Sequence, residues 1–185
     1  MKSKLWSVAR PALILMLITA VSAAALAGVN ALTAGTIARR AEETANQARR
    51  QVIDADSFTP AALPGRDDVV YYLALDKDGG TVGYVFTATV SGKSSGLTVM
   101  TGILADGTLS GVTVTEENET AGYVQKVEKA GLLDRLKGLS AAPITAGEDV
   151  DTVAQATKTS KGILRGVNQA IDWYTQIKEA ATDGQ

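Results

Sequence analysis

The sequence predicts an α+β protein: a twisted antiparallel sheet with helices packed against it, preceded by an N-terminal transmembrane helix. Three observations point there. The run from Pro11 to Ala38 holds no charged residue. The middle of the chain strings β-branched residues between glycine-rich turns. The last third returns to helical spacing, with Ile163, Leu164, Val167, Ile171, Tyr174 and Ile177 on one face.

The uncharged run is long enough to cross a bilayer as a helix, and Lys2, Lys4 and Arg10 precede it. A signal peptide is the competing reading, because Ala25-Leu26-Ala27 has the small residues of a cleavage site. The run continues well past that point without a polar break, so a retained anchor over residues 11–35 is the expectation. The basic leader, residues 1–10, favours a cytoplasmic N-terminus. Arg39, Arg40, Arg49 and Arg50 follow on the far side, so charge alone leaves the orientation open. Ile37 to Ala55 reads as helix continuing beyond the membrane, a solvated stalk with Arg39 and Arg40 one turn before Glu42 and Glu43. The stalk is assigned to residues 36–58 and the folded domain to residues 59–185. SFTPAALPGRDD, with Pro60, Pro64 and Gly65, interrupts the pattern.

Strand signals follow. VVYYLAL, the turn DKDGG and TVGYVFTATVSG read as one hairpin. Asp76 and Asp78 lack the further acidic ligands of a calcium loop, so that stretch is a turn. LTVMTGIL and TLSGVTVTEE flank Asp106-Gly107 as a second hairpin. About four strands result. Val124, Val127, Leu132, Leu133 and Leu136 then suit a helix broken at Gly131, and Ile144 opens a short extended piece. Trp173 and Tyr174 are expected to pack the last helix onto the sheet.

Composition narrows the chemistry. Among 185 residues there is no cysteine and no histidine. Disulfides, cysteine-ligated metals and clusters, and histidine-based triads are therefore excluded within the chain. No catalytic residue and no metal ligand is assigned; reactive chemistry would come from a cofactor. The formal charge is −2, and beyond the anchor 15 basic residues face 20 acidic ones. That balance offers no basic face for nucleic acid.

Thr157, Thr159 and Ser160 gather at the start of the last helix. One such hydroxyl is ordinarily an N-cap. The same helix start offers free N–H groups and a positive dipole end, which suit a phosphate. Lys158 and Lys161 flank it, either solvated or neutralising an anion. Tyr71, Tyr72, Tyr84 and Tyr123 have faces suited to stacking on a flat ring, although strand tyrosines are usually core or rim residues.

DTVAQAT, Asp151 to Thr157, resembles the flavin-attachment motif of the FMN-binding domain family. That motif runs Asp, two variable residues, a small hydroxyl residue, Gly, Ala, and Thr or Ser. Asp151, Ala156 and Thr157 match; Ala154 and Gln155 stand at the hydroxyl and Gly positions. EENETAGYVQ resembles the His-x-Glu-Thr-Pro-Gly-Leu-Gly segment of RnfG, the G subunit of the Rnf ion-translocating electron-transport complex. Glu119, Thr120 and Gly122 match. GYVFTATVSGKSSGLTVMTGILADGTLSGVTV shares the family's strand–Gly–strand pattern and its Asp-Gly turn. With the anchor, the resemblance spans nearly the whole chain.

It implies an FMN joined through its phosphate to Thr157 by a flavin transferase. Asp151, Ala156, Thr159, Ser160, Glu119, Thr120 and Gly122 would complete the cofactor site. It further implies a relay of electrons between ferredoxin and NAD, coupled to ion translocation. The partners would be the other Rnf subunits (A, B, C, D and E). The place would be the cell (inner) membrane, with a single span and the C-terminal domain extracytoplasmic. The protein has no stand-alone activity on this reading. A related family is the C subunit of the sodium-translocating NADH:quinone reductase. Two alternatives stand beside it: a flavin relay outside Rnf, and an anchored ectodomain that binds a ligand or scaffolds partners without redox chemistry.

Overall fold

The computed structural model describes residues 2–92, 96–117 and 122–183. The chain divides into two compact units, residues 1–45 and 46–185. The first is helical throughout its described part, and helix α1 runs Lys2–Val52. From Leu15 this helix is long and apolar enough to cross a membrane, the one such helix among the described residues. Its hydroxyls do not demand water: Thr19 Oγ1 donates to the Leu15 carbonyl at 3.0 Å and Thr33 Oγ1 to the Val29 carbonyl at 2.8 Å.

The second unit is an antiparallel meander with strand order β1-β2-β3-β4-β5. The strands are β1 (Ser57–Leu63), β2 (Arg66–Leu75), β3 (Thr81–Val90), β4 (Leu97–Leu104) and β5 (Leu109–Glu117). Helices α2 (Tyr123–Lys129), α3 (Leu132–Leu136) and α4 (Thr157–Asp183) follow. Both expected hairpins form. The Asp76 turn is closed by its own carboxylate, whose Oδ1 accepts from Asp78 N at 2.9 Å and Gly80 N at 2.7 Å. The helix break falls at Gly131, which takes a left-handed φ of 71° between α2 and α3.

Two expectations are corrected. The sheet has five strands rather than four, because the stretch with Pro60 is β1. Proline lacks an N–H for the ladder, yet β1 is an edge strand, where one side needs no partner. The end of the stalk, expected to be solvated, is buried at Arg49, Val52 and Ile53.

The sheet buries both faces. On one, Leu63, Phe86, Leu97, Val99 and Ile103 meet Ile163, Val167 and Ile171 of α4. Trp173 and Tyr174 do pack there, each 7% exposed. Tyr71, Tyr84, Phe86, Trp173 and Tyr174 form a ring cluster with centroids 5.6–6.4 Å apart in successive pairs. Burial, and next the neighbouring Tyr84, push the Tyr71 phenol up, so it stays neutral in this apolar layer.

The opposite face holds a smaller cluster of Val52, Ile53, Ala74, Val85 and Met100. The end of α1 is therefore not solvated. Val52 and Ile53 are buried on the sheet, and the Arg49 guanidinium lies 3.5 Å from the Tyr72 ring centroid. Glycines on three strands admit this approach. A Cβ at Gly102 would meet the Val52 carbonyl oxygen at 2.5 Å, one at Gly111 would meet it at 2.9 Å, and one at Gly83 would meet the Ile53 side chain at 2.6 Å. Ser110 Oγ donates to the same Val52 carbonyl at 2.5 Å.

Thr101, fully buried on β4, has no hydrogen-bond partner for its hydroxyl among the described residues. Thr101→Val removes that desolvated hydroxyl, and chemical denaturation should show a gain of about 1 kcal/mol.

Candidate functional site

The chain reaches the site through a loop pinned to α4. Asn168, the twelfth residue of α4, accepts from Ile144 N through Oδ1 at 2.8 Å and donates from Nδ2 to the Ile144 carbonyl at 2.9 Å. That pair imitates a strand partner. A short return follows, with Thr145 N donating to Asp149 Oδ2 at 2.7 Å and Gly147 N to the Val150 carbonyl at 3.0 Å. Asp151 then lies exposed ahead of a tight turn.

The turn runs from Val153 to Thr157. Ala156 N donates to the Val153 carbonyl at 3.0 Å, and Ala156 is buried. Ser160 fastens the turn from within the helix. Its Oγ accepts from Val153 N at 3.1 Å and donates to the Ala156 carbonyl at 3.0 Å. Gln155 sits at the apex with φ 63°, the one non-glycine residue in the left-handed region among the described residues. Thr157 opens α4 and is exposed, while Thr159 and Ser160 are fully buried.

An open depression of about 220 Å³ lies at this helix start, lined by Gln155, Ala156, Thr157, Lys158, Thr159 and Tyr123. Tyr123 is the first residue of α2, and Gly122 before it takes φ 90°. Lys126 Nζ stands 5.2 Å from the Tyr123 ring centroid. Residues from two separate sequence motifs thus share one concavity. The first turn of α4 carries no acidic residue. The N-terminal end of the helix dipole and Lys158 both favour an anion.

Thr157, Ala156 and Thr159 line the depression; Ser160 is buried and does not line it, Gly122 adjoins Tyr123, and Asp151 stands before the turn without lining it. Glu119 and Thr120 lie outside the described residues. Lys161 is exposed. Tyr71, Tyr84 and Tyr174 belong to the core, and Tyr72 is taken up by Arg49. Asn168 and the Val153–Ser160 latch were not singled out from the sequence. An Asn on the half-buried side of the last helix was the available signal, but its partner is 24 residues away.

The donor set fits a flavin phosphate: an exposed threonine hydroxyl, a helix N-terminus and a lysine face one space. The FMN-binding domain family model matches residues 92–172, and the RnfG N-terminal region model matches residues 1–52. The chain is 32% identical to the G subunit of the sodium-translocating ferredoxin:NAD+ oxidoreductase complex of Acetobacterium woodii, covering 90% of this chain and 91% of that protein. It is 25% identical to the G subunit of the proton-translocating complex of Clostridium ljungdahlii, over 84% of this chain and 85% of that one. It is 26% identical to the G subunit of the ion-translocating oxidoreductase complex of Methanosarcina acetivorans, over 87% and 91%. A crystal structure of Shewanella oneidensis NqrC aligns over 71% of this chain and 73% of that one, with a TM-score of 0.48 and 20% identity. With matched family models at both ends and a relative similar along nearly its whole length, the chain belongs to the RnfG family and carries an FMN-binding domain.

Proposed function

We propose that this chain is the membrane-anchored flavoprotein subunit of an ion-translocating ferredoxin:NAD+ oxidoreductase complex. It carries FMN as a phosphoester on Thr157 and relays electrons between ferredoxin and NAD together with the other Rnf subunits. The N-terminal helix anchors it in the cell membrane with the N-terminus cytoplasmic and the domain outside, where a flavin transferase completes it. The observation that carries this reading is the exposed Thr157 at the opening of α4, in a depression walled by Tyr123 from the second motif.

Each residue then has a task. Thr157 Oγ bears the ester. The first-turn N–H groups of α4 and Lys158 hold the phosphate charge. Ala156 and Thr159 shape the floor, and Ser160 keeps the turn that presents Thr157. Asp151, Glu119, Thr120 and Gly122 belong to the surrounding cofactor site. When bound, the flavin supplies the redox chemistry, and the chain holds it against loss between donor and acceptor.

The test is flavin fluorescence of the full chain in a denaturing gel, after export with an active flavin transferase. Wild type should fluoresce and Thr157→Ala should be dark. A dark wild-type band beside a labelled control protein overturns covalent attachment and leaves a non-covalently held flavin or the ligand-binding or scaffold alternative.

A further inference from the structure

Gln155 occupies a backbone position that suits glycine. The turn is imposed from both sides, by the Ala156-to-Val153 hydrogen bond and by the Ser160 latch, so the left-handed φ of 63° does not depend on the residue there. A side chain in that region is strained by the contact of its Cβ with the following carbonyl, and glutamine lacks the short polar group that lets Asn or Asp tolerate it. The side chain is not needed for the core, because Gln155 is exposed. Its carboxamide has no hydrogen-bond partner among the described residues. Yet it lines the depression beside Thr157, two positions before it. Strain of this kind persists where the surroundings over-determine it, and it gathers at ligand clamps.

We propose that Gln155 is a cofactor-contacting residue of this chain: its Nε2–H donates to a phosphate oxygen of the flavin ester on Thr157. The proposal rests on the flavin reading above. Gln155 would supply its donor from the loop, beside those of Lys158 and the helix N-terminus. Glycine at this position would relax the backbone and leave that oxygen to water.

The experiment compares wild type, Gln155→Gly and Gln155→Glu as full-length protein in detergent. Each is prepared with and without a flavin transferase, and thermal midpoints are read for both forms. Without flavin, Gln155→Gly should melt higher than wild type by about 3 °C, because strain is relieved. Gln155→Glu keeps the backbone strain and nearly the same shape but loses the donor and faces the phosphate with a like charge. Flavinylation should then raise the midpoint of wild type by about 3–5 °C more than that of either variant. The phosphorus resonance of the ester should shift between wild type and both variants. Equal increments and an unchanged resonance in all three, with the band fluorescent, overturn the contact alone. A dark wild-type band overturns the ester on Thr157 and this contact with it.

Discussion

Gly102→Val should destabilise the domain by about 3–5 kcal/mol, measured by chemical denaturation of the full chain in detergent. A Cβ at this position would sit 2.5 Å from the Val52 carbonyl oxygen and 2.5 Å from Ser110 Oγ. The first is backbone and has no rotamer to escape into. The end of α1 must lift, which exposes Val52 and Ile53, now 1% and 2% exposed, and breaks the Ser110 hydrogen bond. Gly111, the register partner of Gly102, is under the same constraint, so no neighbouring strand can absorb the change. Limited proteolysis should then cut between Val52 and Ser57 in the variant and spare wild type. An uncut connection with unchanged stability would mean that the glycines are not what admits the helix.

Asn168→Ala should cost about 2–3 kcal/mol by the same measurement. Its carboxamide makes both hydrogen bonds to Ile144, and Ile144 is 6% exposed. Truncation leaves an N–H and a carbonyl unpaired beside a buried side chain. Asn168→Asp keeps an acceptor for Ile144 N and loses the donor to its carbonyl, so its loss should be intermediate. The loop from Ile144 leads directly into the Thr157 turn. Flavin incorporation should therefore fall in the same order, wild type above Asp above Ala. Equal stability of the Asp and Ala variants would assign the effect to the donor arm alone.

How far the sequence could be read follows from the range of each interaction. The hairpins and α4 were legible because their signals are local: Asp-Gly at one turn, a closed Asp76 turn at another, and a helical repeat of apolar residues. Thr157 as the first residue of α4 was legible for the same reason. β1 was hidden by Pro60, whose meaning depends on the strand being at an edge, a fact of topology. The docking of Val52 and Ile53 was hidden because Gly83, Gly102 and Gly111 act together only once β3, β4 and β5 are in register. Local pattern made Arg49 a stalk residue, whereas the fold buries it over Tyr72. Gln155 was visible as a departure from a glycine pattern. Its backbone angle, and therefore its strain, was not.

The ring cluster on the α4 face also makes the protein its own optical gauge. Of two tryptophans, Trp6 lies in the N-terminal unit and Trp173 lies in the domain core against Phe86. With Trp6 replaced by phenylalanine, all indole emission would come from one buried site. Its wavelength would report water entry as the core opens. Flavins absorb where tryptophan emits, so energy transfer from Trp173 would report cofactor loading in the same spectrum. Folding and loading could then be followed together without an added label.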